Sequence, residues 1–265
     1  MTRMRIALAQ VNSTVGDLAG NAATVAEWTR RAADAGADLV VFPEMMLTGY
    51  PVEDLALRDS FVDASMETLE ATAQHLAEAG LGQVAVVTGY LGRRAGGTPR
   101  AGEPVSSAQN AAALLYGGTV AVTTAKHHLP NYGVFDEYRY FVPGNRLPVV
   151  RVPVPGGGDA VDVAIAICED LWQDGGPVAV TREAGAGLLV VPNASPYERD
   201  KREARLALCV WRAREAGAAL AYVNMMAGQD ELVFDGDSII VDAEGGLITR
   251  GPQFEEALLV ADLDL

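Results

Sequence analysis

The chain has 265 residues, 49% hydrophobic and 21% charged, the composition of an ordinary globular protein long enough to bury a large core without cross-links. Its 35 acidic against 20 basic residues leave a net charge of −15, which argues against nucleic acid or an anionic membrane as the main partner. Two cysteines, Cys168 and Cys209, exclude a disulfide scaffold.

Residues 5–11, RIALAQV, read as a strand whose apolar stretch ends at Gln10. That is too short for a secretory h-region, and no apolar run approaches membrane-spanning length, so a cytoplasmic location is expected. Residues 21–36 carry a helical pattern stopped by Gly36, and ADLVVFPE (37–44) is a short buried strand closed by proline. A second helical pattern covers 60–79, ending at Gly80, and QVAVVTGYLG (83–92) is a strand. Residues 93–107 lack periodicity and are rich in Gly, Pro and Ser, so they form a loop. Residues 109–130 read as two strands turning at Gly117-Gly118, and the segments around Gly156–Gly158 as another hairpin-like pair. Then follow a strand at 187–195, a charged helix over about 198–217, a strand at 218–226, a late hairpin over 233–250 and a closing apolar segment. Strands outnumber helices and many form adjacent pairs, which a plain alternating β-α sheet would not show. The expectation is a mixed α/β fold, two sheets with helices outside, in one domain over 1–265 without repeat or linker.

Cys168 follows the apolar run VAIAI (163–167) and precedes two acids, Glu169 and Asp170. Carboxylates beside a thiol oppose its ionisation. A core cysteine and a nucleophile activated from elsewhere both fit. Cys209 lies with Leu206, Val210 and Ala213 on an apolar helix face and reads as core. Of the three histidines, His75 has polar neighbours, while His127 and His128 are consecutive on a strand and point to opposite faces. They suggest neither a Cys-His pair nor a metal site. Glu44 and Lys126 stand, like Cys168, at the end of an apolar strand. Each alone fits a solvated strand end. If the three converge, Lys126 offsets the acidic field and polarises a carbonyl oxygen, and Glu44 carries the thiol proton.

The set Glu44, Lys126, Cys168, in that order and each after an apolar strand, resembles the nitrilase superfamily of carbon–nitrogen hydrolases. Longer strings narrow the likeness: TGYPVEDL (48–55), KHHLPNYGVFDEYRYFVPG (126–144), ICEDLW (167–172), NASPYERDK (193–201) and GQDELVFDGDS (228–238). They resemble the N-terminal glutaminase domain of glutamine-dependent NAD synthetases, over about residues 5–262. The resemblance implies a four-layer α-β-β-α sandwich, with Glu44 as general base and acid, Lys126 as oxyanion stabiliser, Cys168 as nucleophile and Glu137 as a second carboxylate. It places glutamine binding at Tyr132, Glu169, Ser195 and Lys201. The charges suit that substrate, Glu169 for its ammonium and Lys201 for its carboxylate. The implied reaction releases glutamate and ammonia through a cysteine thioester, with no cofactor and no metal. The implied partner is an ATP-dependent NAD synthetase domain, in cis or in trans, and a homo-oligomer is expected.

One departure is large: the S-G-G-x-D-S loop of the synthetase half has no counterpart. Gly156–Gly158 run into a strand and not a helix, so they make no phosphate cradle. The synthetase domain is therefore expected to be absent, and a free-standing protein and an excised domain both fit. The alternatives are an amidase acting on another small amide and a catalytically silent scaffold subunit. The intact set of three counts against the silent subunit.

Overall fold

The computed structural model describes residues 2–94, 107–155 and 160–265, so most of the loop expected at 93–107 and the Gly156–Gly158 turn lie outside the described residues. In chain order the elements are β1 (Arg3–Gln10), α1 (Leu18–Asp34), β2 (Leu39–Val41), α2 (Asp59–Glu78), β3 (Ala85–Arg93), β4 (Ala108–Tyr116), β5 (Thr119–Ala125), β6 (Val149–Pro153), β7 (Ala160–Ile165), α3 (Gly176–Ala184), β8 (Leu188–Asn193), α4 (Lys201–Ala216), β9 (Ala219–Asn224), β10 (Met226–Gln229), β11 (Leu232–Asp235), β12 (Ile239–Val241), β13 (Leu247–Arg250) and β14 (Ala257–Asp264). They build two six-stranded sheets, ordered β14-β1-β2-β3-β4-β5 and β13-β12-β9-β8-β7-β6, with β10-β11 as a separate ribbon. Each sheet has a parallel centre, β1-β2-β3 in the first and β7-β8-β9 in the second.

The apolar runs follow from this layering, because a strand buried on both faces needs an apolar residue at every position. In β1, Ile6 and Leu8 enter the core between the sheets, while Ala7 and Ala9 enter the core under α1 and α2. In β8, Leu188 and Val190 face the other sheet, while Leu189 and Val191 face α3 and α4. The order of layers is thus α-β-β-α. Helix α1 buries Val25, Trp28 and Ala32, spaced three and four residues apart. Its start is capped by the Asp17 carboxylate, which accepts from the Gly20 N–H at 2.9 Å.

Three expectations need correction, and one helix had no counterpart in the sequence reading. The strand at 37–44 is only Leu39–Val41. The late hairpin at 233–250 divides: β11 pairs with β10, and only β12 and β13 form a hairpin within the sheet. Positive φ at Gly236 (70°) and Asp237 (61°) turns the chain between the two. Helix α3 lies between residues 173 and 186, where the sequence reading names no element; Pro177, in the first helical turn, is pre-shaped for the helix. His127 and His128 lie beyond β5, and their rings meet edge to face with centroids 4.5 Å apart rather than on opposite faces.

Candidate active site

Glu44 follows β2 in a turn packed onto β3. Gly89 allows the approach: a Cβ there would lie 2.2 Å from the Met45 backbone nitrogen. The Gly89 carbonyl accepts from the Leu47 N–H at 3.0 Å, which fixes the turn. Lys126 follows β5, and its backbone N–H continues the ladder to the Asn110 carbonyl at 2.8 Å. Gly144 closes that side, since a Cβ there would lie 2.1 Å from the Ala125 carbonyl oxygen.

The two ends meet in a buried ion network. Lys126 Nζ, on a residue 1% exposed, donates to Glu44 Oε1 at 2.8 Å and to Glu137 Oε1 at 2.9 Å. Asn110 Nδ2 donates to the same two oxygens at 2.7 and 3.3 Å, and the Tyr50 hydroxyl donates to Glu137 Oε1 at 3.0 Å. Glu44 Oε2 accepts from the Ala194 N–H at 2.8 Å, which ties the first sheet to the end of β8 in the second. Burial works against the Lys126 charge, but Glu137 and Glu44 outweigh it and hold its pKa well above the ordinary value. Burial pushes Glu137 up to about 7, against the pull of Lys126 and with help from Glu44.

Cys168 opens a 3₁₀ turn, Cys168–Leu171, just beyond β7. Its φ of +46° lies in the left-handed region, which costs a non-glycine residue on the order of 1–3 kcal/mol. Cys168 is 5% exposed, and its thiol is within electrostatic reach of Glu44, Lys126, Glu137 and Glu169. Burial and Glu44 push its pKa well above the ordinary value, with Lys126 opposing. It therefore rests as a neutral thiol.

A cavity of about 390 Å³ opens over Cys168, and Tyr132, Glu169, Trp172, Ser195 and Lys201 line it. Glu169 is buried and accepts from the Tyr132 hydroxyl at 2.8 Å and from Gln173 Nε2 at 2.6 Å, both neutral donors. Burial and that bond to Glu169 raise the Tyr132 pKa. Lys201, the first residue of α4, pairs with Glu198 at 2.6 Å and lies 6.0 Å from the Trp172 ring centre. The structure thus gathers Glu44, Lys126 and Glu137 into direct contact, sets Cys168 beside them, and places Tyr132, Glu169, Ser195 and Lys201 around one cavity.

Several residues that shape the site were not anticipated. Arg205 on α4 is fully buried; it pairs with Asp235 at 2.7 Å and donates to the Ser195 carbonyl at 2.9 Å. Arg212, also fully buried, donates to the carbonyls of Leu171 at 2.6 Å and Gln173 at 2.7 Å, holding the chain just after Cys168. Both share a helix face with Cys209, at four- and three-residue spacing, and that periodicity was a usable signal. Asn110 is signalled by being polar within the apolar run of β4. Cys209 itself is fully buried in the core under α4.

The carbon–nitrogen hydrolase profile matches residues 5–265. The chain belongs to the carbon–nitrogen hydrolase family. It is similar to the glutamine-dependent NAD(+) synthetase of Thermotoga maritima, 42% identical over all of this chain but 43% of that protein. Among solved structures, it superposes on the glutamine-dependent NAD+ synthetase of Acinetobacter baumannii with a TM-score of 0.85 and 31% identity, covering 99% of this chain and 46% of the other. It superposes on an amidase from Nesterenkonia sp. with a TM-score of 0.77 and 29% identity, covering 98% of this chain and 90% of the amidase. A mutant of that amidase holds the acetamide moiety of fluoroacetamide covalently at its active-site cysteine. The chain spans less than half the length of the synthetases it matches. Family membership makes the chain an enzyme acting on amides.

Proposed function

We propose that the chain hydrolyses the side-chain amide of glutamine to glutamate and ammonia through a thioester on Cys168. The observation that carries this reading is the cavity over Cys168, lined by Glu169, a carboxylate with neutral partners, and by Lys201, an ammonium that pairs with Glu198, alongside Arg199 and Asp200. Free glutamine has an ammonium and a carboxylate at one end and the amide at the other. Glu169 and Lys201 suit the first end, and Cys168 suits the second.

In this reading Glu44 takes the thiol proton as the sulfur attacks the amide carbon. Oε1 of Glu44 already holds two donors, whereas among the described residues Oε2 holds the Ala194 N–H alone, so Oε2 has the lone pair to spare. Lys126 uses two of its three N–H donors on carboxylates, which leaves one for the developing oxyanion. The Glu169 backbone N–H, in the first turn after the nucleophile, is a second donor, because first-turn N–H groups lack intrahelical acceptors. Glu44 then protonates the departing nitrogen, ammonia leaves, and a thioester remains. Water, deprotonated by Glu44, attacks the thioester, and the proton returns to sulfur as glutamate leaves.

Residues 1–265 act here as a single glutaminase unit. The ammonia goes to an NAD synthetase domain, in cis or in trans, as the names of the similar synthetases suggest. The second reading is an amidase for simple aliphatic amides, favoured by the match across 90% of the Nesterenkonia enzyme. Glutamate and ammonia release from glutamine, measured beside asparagine and propionamide, separates the two. Glutamine should be turned over best. Propionamide hydrolysed while glutamine stays untouched would leave the second reading standing.

A further inference from the structure

Two acids follow the nucleophile, and only Glu169 lines the cavity. Asp170 is 2% exposed and gives both oxygens to backbone N–H groups. Oδ2 accepts from Ile167 at 2.9 Å, the residue just before Cys168. Oδ1 accepts from His127 at 3.0 Å and His128 at 2.8 Å, the two residues just after Lys126. One buried carboxylate thus ties the peptide that carries the thiol to the peptide that carries the ammonium.

The topology explains why such a tie matters. Strand β5, which ends before Lys126, belongs to the first sheet, and β7, which ends before Cys168, belongs to the second. Ladder hydrogen bonds fix strand ends within a sheet but not between sheets, which meet only through side chains about 10 Å apart. The separation of Lys126 from Cys168 therefore depends on side chains that cross the layer. We propose that Asp170 is a positioning residue for amide hydrolysis, clamping the Lys126 segment to the Cys168 turn through three backbone hydrogen bonds. The group suits the task, because an ionised carboxylate only accepts and all three partners only donate. Burial lifts its pKa to about 6, and the N–H groups of His128 and Ile167 hold it from rising further. The inference rests on Cys168 and Lys126 being the reacting pair.

Asp170→Asn tests it. The amide keeps the volume but turns a donor toward at least one of the N–H groups, so the clamp loosens. The variant should fold, lose kcat by roughly 10–100-fold and keep KM within about threefold, since misplacement of about 1 Å costs that much. Alkylation of Cys168 by iodoacetamide should shift to higher pH, because Lys126 then lowers the thiol pKa less. Asp170→Glu keeps the charge and should recover part of kcat. Leu114→Ala in the core between the sheets, chosen for a similar drop in Tm, should move neither kcat nor the alkylation profile. Asp170→Asn with wild-type kcat and profile would overturn the proposal. So would Leu114→Ala shifting both as far, or failure of both Asp170 variants to fold, which would assign the residue to the fold alone. Hydrolysis retained in Cys168→Ala would instead remove the reading beneath it.

Discussion

Lys126→Met removes the one cation from a network of two buried carboxylates. Both ion pairs are short, 2.8 and 2.9 Å, and the side chains are 1% exposed for Lys126, 0% for Glu44 and 4% for Glu137. Removing one partner of a buried pair costs about 3–5 kcal/mol, because a bare charge is left behind. A proton can relieve that cost here, since Glu137 already sits at about 7. In the variant one carboxyl stays protonated when folded and ionises when unfolded, so stability falls by about 1.4 kcal/mol per pH unit above the unfolded pKa. In the wild type the same fall ends near 7, where folded Glu137 ionises. The gap between the two proteins should therefore widen by about 2 kcal/mol from pH 7 to pH 8.5. Urea unfolding at the two pH values measures it. In parallel, kcat should drop on the order of 10²–10³-fold, the usual cost of one oxyanion donor. A stability gap that stays flat with pH, or kcat within tenfold of wild type, would refute the reasoning.

Cys168→Ala should abolish hydrolysis, and iodoacetamide should label Cys168 well before the fully buried Cys209, with glutamine protecting; equal labelling would contradict the assignment. Cys209→Ala should cost about 1 kcal/mol of stability and leave turnover unchanged. Lys201→Ala and Glu169→Ala should each weaken glutamine by roughly 1.5–3 kcal/mol relative to an amide lacking the α-carboxylate or α-amine. Equal losses on both substrates would show that they support the cavity without reading the ligand. Arg205→Ala strands Asp235, 1% exposed, and should cost about 3–5 kcal/mol in denaturant unfolding; a loss under about 1 kcal/mol would mean Gln253 suffices as its partner.

The layering was readable because burial on both faces writes continuous apolar runs, and because Glu44 and Cys168 each stand just past one; Lys126 instead follows the half-exposed edge strand β5. The division of 233–250 was not, since Gly236 and Asp237 look like an ordinary turn until it is known which sheet accepts β12. The charged α4 invites reading as a solvated face. Arg205 and Arg212 are instead buried because loop carbonyls after β8 and after Cys168 need donors, and those loops are distant in sequence. Asp170 was seen only as a charge opposing the thiol. Its partners, the N–H groups after Lys126, are about forty residues away, and residue types carry no record of backbone donors.

The negative field around Cys168 then acquires a purpose within the proposed reaction. Burial disfavours the thiolate most, Glu44, Glu137 and Glu169 add to it, and Lys126 opposes them. A thiol held neutral in an empty site is protected from oxidation and alkylation, since the thiolate is the reactive form. Glutamine changes the balance. Its ammonium pairs with Glu169, the carboxylate adjacent in sequence to the nucleophile, and cancels part of the field just when the amide carbon arrives. An amide without an α-amine brings no such cation and leaves the thiol at its resting pKa. Glu169→Gln imitates the bound state, because it removes the charge while its amide oxygen can still accept from Tyr132. Alkylation of Cys168 in the unliganded variant should therefore begin at lower pH than in wild type, and turnover of an amine-free amide should rise. An unchanged alkylation profile would mean that the Glu169 charge is already screened from the thiol, and that the substrate's ammonium contributes affinity alone.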